Sequence, residues 1–303
     1  MFSISTSWNN RLDIPILNWL HQIRELGFDA IELGYTLTSS DLAIIEDNLE
    51  RLKIKVNSIH NFCPMPDDNP ANARHPSNYY RLSSLDKDEQ ASAVEWTKAC
   101  IDTACRVNCD TVVIHAGTLE VEEDPSAELI NLYKQGKRHT EEYRLLRDHL
   151  LKIRLEQREP FLQALILSLR KVMDYAQEKK IRIGLETRYY PIEMPNFEEI
   201  GMLLERFSSQ GMYYWHDVGH AEVNDRLGIT PHTKFLETYK NQLIGVHLHG
   251  VKVLRDHLAP FDGDMDLNKF LPYFGGDIVR VIESRFATVD QIREGLERLR
   301  DRG

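Results

Sequence analysis

Several short apolar runs in this sequence end abruptly in ionisable residues. The clearest case is Met212-Tyr213-Tyr214-Trp215, which leads directly into His216-Asp217-Val218-Gly219-His220. Asp217 and His220 are three residues apart, so a carboxylate and an imidazole can converge on one cation where a strand turns out of its sheet. We expect Gly219 to permit the bend between them, because glycine has no side chain to forbid unusual backbone angles. Alone, the motif fits a turn-forming aspartate and a structural histidine equally well.

The same ending recurs along the chain. If the runs are strands, their carboxyl ends carry Glu32, His60, His115, Glu186, Asp217 with His220, His247 with His249, and Glu283. Taken singly, each residue is more often structural, since a histidine can bond to backbone and Glu186 can pair with Arg188. Taken together, they would leave several buried charges uncompensated unless a shared divalent cation gathers them.

The elements that must position these residues alternate in a regular order. Eight short, buried strands alternate with amphipathic helices such as 87–106 and 232–239, at roughly one unit per 35 to 40 residues. This pattern predicts an α/β fold, a closed (β/α)8 TIM barrel, with residues 1–303 as one domain. A doubly wound open sheet would present a Gly-rich phosphate turn after its first strand, and Ser7-Trp8-Asn9-Asn10 is not such a turn.

Two segments interrupt the rhythm. Residues 120–159 form a highly charged insertion after the fourth strand, with a helical run from Glu141 to Gln157 before the next helix, Pro160 to Lys179. We expect it to pack on the barrel rim or on a partner subunit, or alternatively to act as a lid. The Pro-rich and Asn-rich stretch from Asn61 to Ser84 is too long for a plain connector and is a candidate active-site loop.

Composition excludes some partners. The net charge is −10 and basic residues are dispersed, so we expect no nucleic-acid partner, although a small phosphorylated substrate needs only a few local donors. No apolar run approaches the roughly 20 residues that cross a bilayer, and the start lacks a leader, so we expect a cytoplasmic protein without a membrane partner. The 4 cysteines form no C-x-x-C pair and are expected to be reduced.

In order and spacing, these motifs resemble the xylose isomerase-like barrel family, which includes sugar and sugar-phosphate isomerases and epimerases, inosose dehydratases and endonuclease IV. The motifs that carry the resemblance are Ile31-Glu32-Leu33, Ile59-His60, Ile114-His115-Ala116-Gly117, Leu185-Glu186-Thr187-Arg188, Asp217-Val218-Gly219-His220, Val246-His247-Leu248-His249, Asp256-His257-Leu258 and Ile282-Glu283. The resemblance implies a metal-dependent enzyme with a small carbohydrate substrate, and often a homo-oligomer.

The resemblance also implies roles for particular residues. Metal ligands would be Glu186, Asp217, His247 and Glu283, and the two glutamates would exchange the substrate proton from opposite faces. The expected substrate-side residues are Glu32, His60, His115, Arg188, His220, His249 and His257, with His249 less specific and suited to support a ligand. The family usually has an acidic residue where this chain has Gly250, so the chain departs from the family pattern on that side of the substrate.

The ligand set predicts the cofactor and the reaction. Three carboxylates and one imidazole suit manganese or magnesium first, with cobalt, nickel or zinc also able to bind. Such a cation would bind two vicinal oxygens of a ketose or aldose, polarise the carbonyl and stabilise the enediolate formed on loss of the neighbouring proton. The leading prediction is therefore an isomerase or epimerase.

Three other functions stay open at this point. The same site could serve a dehydratase acting on a cyclic polyol. An endonuclease IV-like phosphodiesterase would need a three-cation cluster, for which most ligands are present, but Arg255 stands where an aspartate two residues before His257 is expected. A non-catalytic barrel could bind a sugar through aromatic residues such as Tyr189, Tyr190 and Trp215.

Overall fold

The parallel barrel closes in the predicted way. The computed structural model describes residues 1–8, 14–67 and 79–302. Its barrel strands are β1 (Phe2–Ser5), β2 (Ala30–Leu33), β3 (Lys55–His60), β4 (Thr111–Ile114), β5 (Arg182–Glu186), β6 (Met212–Asp217), β7 (Leu243–Leu248) and β8 (Val279–Ile282). Each strand pairs in parallel with the next, and β1 pairs with β8 to close the ring. The (β/α)8 prediction is confirmed.

Helices cover the outside of the barrel. Within the described ranges they are α1 (Ile16–Glu25), α2 (Ser39–Leu52), α3 (Lys87–Arg106), α4 (Ser126–Lys134), α5 (Glu141–Lys179), α6 (Phe197–Phe207), α7 (Val218–Arg226), α8 (His232–Tyr239) and α9 (Val289–Arg300). Several begin at a capping side chain that satisfies exposed backbone N–H groups, as Thr38, Asn196 and Thr288 do through capping boxes. None of the helices in these ranges has the length and apolar character needed to cross a membrane.

An indole packs in the barrel interior below the ionisable strand ends, in a cluster with Val113 and Val281. Trp215 is fully buried, and a Cβ added to Gly245 would lie 2.0 Å from its ring. A Cβ added to Gly184 would lie 3.1 Å from the same ring, so Gly245 is required to admit the indole and Gly184 gives it further room. Because side chains two residues apart share one face of a strand, Trp215 forms the layer directly beneath Asp217.

The segment after β4 differs from the sequence expectation in one respect. The predicted break before Pro160 is absent, and α5 runs without interruption for 39 residues with Pro160 inside it. Proline removes one backbone hydrogen bond and strains the turn before it. Contacts on both sides compensate, because Gln90 of α3 donates to the Ala164 carbonyl at 2.8 Å and Tyr143 donates to the Leu227 carbonyl at 3.1 Å.

A buried ion pair ties the first half of α5 to the rest of the molecule. Arg154 donates to Glu199 Oε2 at 2.6 Å and to the Pro191 carbonyl at 2.9 Å. Glu199 is fully buried and also accepts from the Asn196 backbone, as part of the α6 capping box. The charged segment therefore packs against the loop that follows β5 and against the start of α6.

Replacing Arg154 with leucine should destabilise the protein strongly, because Glu199 would keep a buried charge without its cation. We expect a loss of about 3–5 kcal/mol in the free energy of unfolding, measured by urea titration. Arg144→Leu on the same helix is the control, since Arg144 is solvent-exposed and forms only surface ion pairs with Glu141 and Asp148. Equal stability of the two variants would contradict this account.

Candidate metal and catalytic site

Four buried donor groups meet at the carboxyl ends of β5 to β8. One ligand atom from each of Glu186, Asp217, His247 and Glu283 lies within 4.8 Å of the other three. Their exposed fractions are 0–3%. Because these residues are up to about a hundred positions apart, only closure of the barrel brings them together.

His247 is held in one orientation by a carboxylate behind it. Its Nε2 lies 3.1 Å from both oxygens of Glu32, which also accepts a hydrogen bond from Ser58 at 2.7 Å. A ring nitrogen between carboxylate oxygens must carry a proton, so Nε2 is the donor and Nδ1 faces the other acids. Nδ1 lies 2.8 Å from Glu186 and 3.2 Å from Glu283.

The charges of this group balance one another. Burial alone would lower the pKa of His247, but Glu32, Glu283 and Glu186 outweigh burial and raise that pKa well above its usual value. Burial would likewise raise the pKa of Glu186, but His115 and His247 hold that pKa well below its usual range. The His247 imidazole, protonated on both nitrogens, therefore supplies the positive charge that balances the surrounding carboxylates. The donor set, three carboxylate groups and one imidazole nitrogen, fits a divalent ion, and its binding would release the Nδ1 proton.

A second group surrounds the other oxygen of Glu186. Glu186 Oε2 lies 2.5 Å from His115 Nε2, 3.2 Å from His60 Nε2 and 3.5 Å from the Arg188 guanidinium. Nδ1 of His115 is buried without a hydrogen-bond partner among the described residues. Arg188 also pairs with Glu193 at 2.6 Å, so this arginine is fixed by two carboxylates.

A third group lies on the far side of Asp217. Asp217 accepts the backbone N–H of His220 at 2.7 Å and lies 3.1 Å from His249 Nε2. The His220 ring donates from Nδ1 to the Thr187 carbonyl at 2.8 Å, which leaves Nε2 free to accept. His249 Nδ1 accepts the backbone N–H of His257 at 3.0 Å, so the His249 proton is on Nε2, facing Asp217.

Asp256 belongs to this third group, and the sequence analysis did not assign it a role. Its Oδ2 lies 3.1 Å from His257 Nδ1 and 3.6 Å from His220 Nε2. Burial would raise the pKa of Asp256, but the charge and hydrogen bond of His257, together with His220 and His249, outweigh burial and lower this pKa to about 2. The sequence signal that could have identified Asp256 is the motif Asp256-His257-Leu258. The sequence analysis instead considered the position two residues before His257, which is Arg255.

The structure thus places all the predicted residues at one end of the barrel, but they do not all surround the same point. Glu32 and His249 lie behind ligand atoms and contact them, whereas His60, His115, Arg188, His220 and His257 line the two flanking groups.

Sequence reasoning also missed Tyr35, whose ring lies edge-on to His60 with the centroids 5.1 Å apart. Tyr35 accepts a hydrogen bond from Arg285, two residues after Glu283. Of the expected loop 61–84, residues 68–78 lie outside the described ranges.

Our expectation for Gly219 was wrong in its reason. Gly219 lies inside α7, for which Asp217 is the N-cap, and its backbone conformation is not unusual. A Cβ at this position would lie 2.1 Å from Cε1 of His249. The glycine is therefore required so that the His249 ring can approach Asp217 over the first turn of α7.

Residues 20–301 match the family described as xylose isomerase-like TIM barrel. The chain belongs to this family. The structure is similar to that of a D-tagatose 3-epimerase-like protein, with a TM-score of 0.66 and 18% identity over 99% of this chain and 96% of that one. It is also similar to 3-keto-D-glucoside 4-epimerase from E. coli, with a TM-score of 0.69 and 12% identity over 99% and 98% of the two chains.

A family 2 AP endonuclease from Brucella melitensis is similar to the same degree, with a TM-score of 0.68 and 16% identity over 99% of this chain and 98% of that chain. No curated protein matches the sequence significantly. At these identities the structural likeness establishes the fold, and members of this fold with different activities are about equally similar.

Substituting Gly219 with alanine should disturb the third group. The added methyl must push the His249 ring away from Asp217, and such overpacking typically costs about 1–3 kcal/mol of stability. Gly275→Ala is a suitable control, because a Cβ at Gly275 meets nothing within 4 Å. Urea unfolding of both variants checks this. A Gly219→Ala protein as stable as the control would show that the His249 ring is not held as described.

Proposed function

We propose that the protein is a divalent-cation-dependent isomerase or epimerase acting on a small carbohydrate. The observation that carries this proposal is the convergence of Glu186, Asp217, His247 and Glu283 on one point. The family and its epimerase-like structural neighbours support the same reaction class.

The four converging side chains would hold the cation, with manganese or magnesium favoured by the oxygen-rich donor set. When bound, the ion would supply positive charge beside a substrate carbonyl oxygen and so favour loss of a proton from the neighbouring carbon. Glu32 prepares His247 for this role by keeping the Nε2 proton and directing Nδ1 inward.

Glu186 and Glu283 are the proposed proton-transfer pair. Both are buried carboxylates whose pKa values lie well below the usual range, because neighbouring imidazoles outweigh the effect of burial, so both start as proton acceptors. One carboxylate takes the carbon-bound proton, and the bonding electrons move into the carbonyl to give an enediolate. The other carboxylate takes a proton from solvent and delivers it to the opposite face, and the first group then releases its proton to solvent. The sum of the steps inverts one carbon without net gain or loss of atoms.

The groups beside the glutamates suit binding and orientation of substrate oxygens. His115 and His60 donate toward Glu186, and His257 Nε2 lies 3.5 Å from Glu283 Oε2. In this proposal they keep the two carboxylates aligned, while Arg188 and His220 orient substrate hydroxyl groups. Arg188 is already paired with Glu186 and Glu193, so it is better suited to orient a substrate hydroxyl group than to bind an anionic group of the substrate.

Glu186→Gln and Glu283→Gln should each abolish exchange of a substrate C–H proton with solvent. An amide cannot accept the proton, and loss of general-base catalysis typically lowers a rate by about 10²- to 10⁴-fold. Deuterium incorporation from D2O into a panel of ketoses and ketose phosphates measures this directly. Glu205→Gln on the exposed face of α6 is the matched control. Metal content must be determined for every variant, and unchanged exchange in a metal-loaded variant would refute the assignment.

A second function is favoured by a specific observation, which is that three groups of potential ligands lie side by side. Besides the central four, these are His60, His115 and Glu186, and Asp217, His220 and His257, each with donor atoms within 4.8 Å of one another. Shared carboxylates between adjacent groups are what a multinuclear centre for phosphodiester hydrolysis requires. Asp256 lies 3.1 Å from His257 Nδ1 and 3.6 Å from His220 Nε2, so it could take the place of the acid that position 255 lacks.

Metal counting separates the two proposals. The isomerase or epimerase should bind one divalent ion per chain, and Asp256→Asn should leave that count unchanged. A phosphodiesterase centre should bind three, and Asp256→Asn should remove one of them because the third group loses a carboxylate. Plasma emission analysis of dialysed protein and anomalous scattering check the count. Protein that retains no divalent ion after loading would contradict both.

A further inference from the structure

A continuous row of buried polar side chains lies on the outer side of β6, away from the candidate ligands. Adjacent residues of a strand point to opposite faces, so His216 faces the helices while Asp217 faces the barrel interior. The row, which we call the outer hydrogen-bond chain, consists of Thr187, Tyr214, His216, His232 and Glu222. All but Glu222 are essentially inaccessible to solvent.

Each member of the outer hydrogen-bond chain contacts the next. Thr187 Oγ1 lies 2.7 Å from the Tyr214 hydroxyl, which lies 2.7 Å from His216 Nδ1. His216 Nε2 lies 3.0 Å from His232 Nε2. His232 Nδ1 in turn lies 3.0 Å from Glu222 Oε2, at the edge of the protein.

The positions of the protons follow from the carboxylate at one end. Glu222 accepts, so His232 Nδ1 carries a proton, and the 3.0 Å contact between the two Nε2 atoms can hold only one more. Burial lowers the pKa of His232, which favours its neutral form, so its Nε2 accepts in this contact. His216 therefore donates from Nε2 and accepts from Tyr214 at Nδ1, so every proton points toward Glu222.

Both ends of the chain connect to the candidate site. At the inner end, the Thr187 carbonyl accepts the Nδ1 proton of His220, and Thr187 directly follows Glu186. At the outer end, Glu222 accepts from Arg226 at 2.8 Å, and Arg226 donates to the Val253 carbonyl at 2.7 Å. Val253 lies in the turn of the Gly250–Lys252 and Arg255–Leu258 hairpin, which carries Asp256 and His257.

We propose that the outer hydrogen-bond chain is a positioning network that fixes Asp217 and His220 from behind, and that His232 is the residue that completes it. His232 lies in α8 and contacts both His216 of β6 and Glu222 of α7, so it joins three elements. No other member of the outer hydrogen-bond chain joins these three elements. Its ring stacks on Phe270 with the centroids 3.6 Å apart, so its plane and its hydrogen-bond directions are fixed. The cation-binding consequence rests on the proposed function, whereas the positioning of His220 does not.

The variants differ in hydrogen bonding more than in size. His232→Leu fills similar space but breaks the chain at its centre. His232→Gln can donate to Glu222 and accept from His216, as the neutral imidazole does, and should rescue the network. Tyr214→Phe removes only a hydroxyl and breaks the chain at the other histidine, which provides a test if His232→Leu fails to fold. Tyr239→Phe is the control on α8, the helix that carries His232. Tyr239 donates to the Phe197 carbonyl at 2.6 Å and does not belong to the outer hydrogen-bond chain.

Two measurements test the proposal. Nitrogen-15 NMR of the imidazoles should find the His232 proton on Nδ1 and the His216 proton on Nε2. Solvent exchange of the His220 Nδ1 proton, assigned by its absence in His220→Gln, should be at least about 10-fold faster in His232→Leu and Tyr214→Phe. It should be unchanged in His232→Gln and Tyr239→Phe. Mn²⁺ affinity by calorimetry should fall about 10- to 100-fold in the first two variants only.

The outcomes are distinguishable. Wild-type exchange of the His220 proton in His232→Leu, or equal acceleration in Tyr239→Phe, would overturn the positioning role whatever the metal does. Wild-type protein that binds no Mn²⁺ would overturn the proposed function, while the exchange measurement would still decide on the network. Unchanged Mn²⁺ affinity in a folded His232→Leu protein would show that the network does not position the cation ligands.

Discussion

Mutual repulsion among buried carboxylates is the constraint on which the top of this barrel depends. Glu32, Glu186, Asp217 and Glu283 are all nearly inaccessible to solvent and meet around one imidazole. In a medium of low polarity such a group is stable only if cations or donors face every oxygen. The structure meets this requirement with His247, whose pKa is raised well above its usual value, with imidazole N–H donors and with Arg188. A divalent ion would meet it more directly.

The same constraint explains why the surroundings are so fully specified. Each ligand side chain has a partner that fixes one of its atoms, such as Glu32 behind His247 and His249 behind Asp217. These partners are held in turn by Ser58 and by the backbone of His257. Precise placement matters because a ligand that rotates by a small angle would expose a charge without compensation as well as lose an ion.

Much of this architecture could be predicted from the sequence, and the misses have physical causes. Strands β4 and β6 are recognisable because an apolar run leads into an ionisable residue, and helix 87–106 because its apolar residues recur with the helical period. Pro160 misled us because local propensity predicts a break, whereas contacts with α3 and α6 hold the long helix together. Asp256 and Tyr35 were missed because their roles depend on how loops fold back over the strand ends, which periodicity does not encode.

The indole under the ligands also sets a limit on how the protein can be approached. Because Trp215 packs between Gly184 and Gly245, its side chain closes the barrel interior beneath the ligands. Whatever reaches the acids and imidazoles must enter and leave by the same opening. A polymer chain therefore could not thread through the barrel past the ligands.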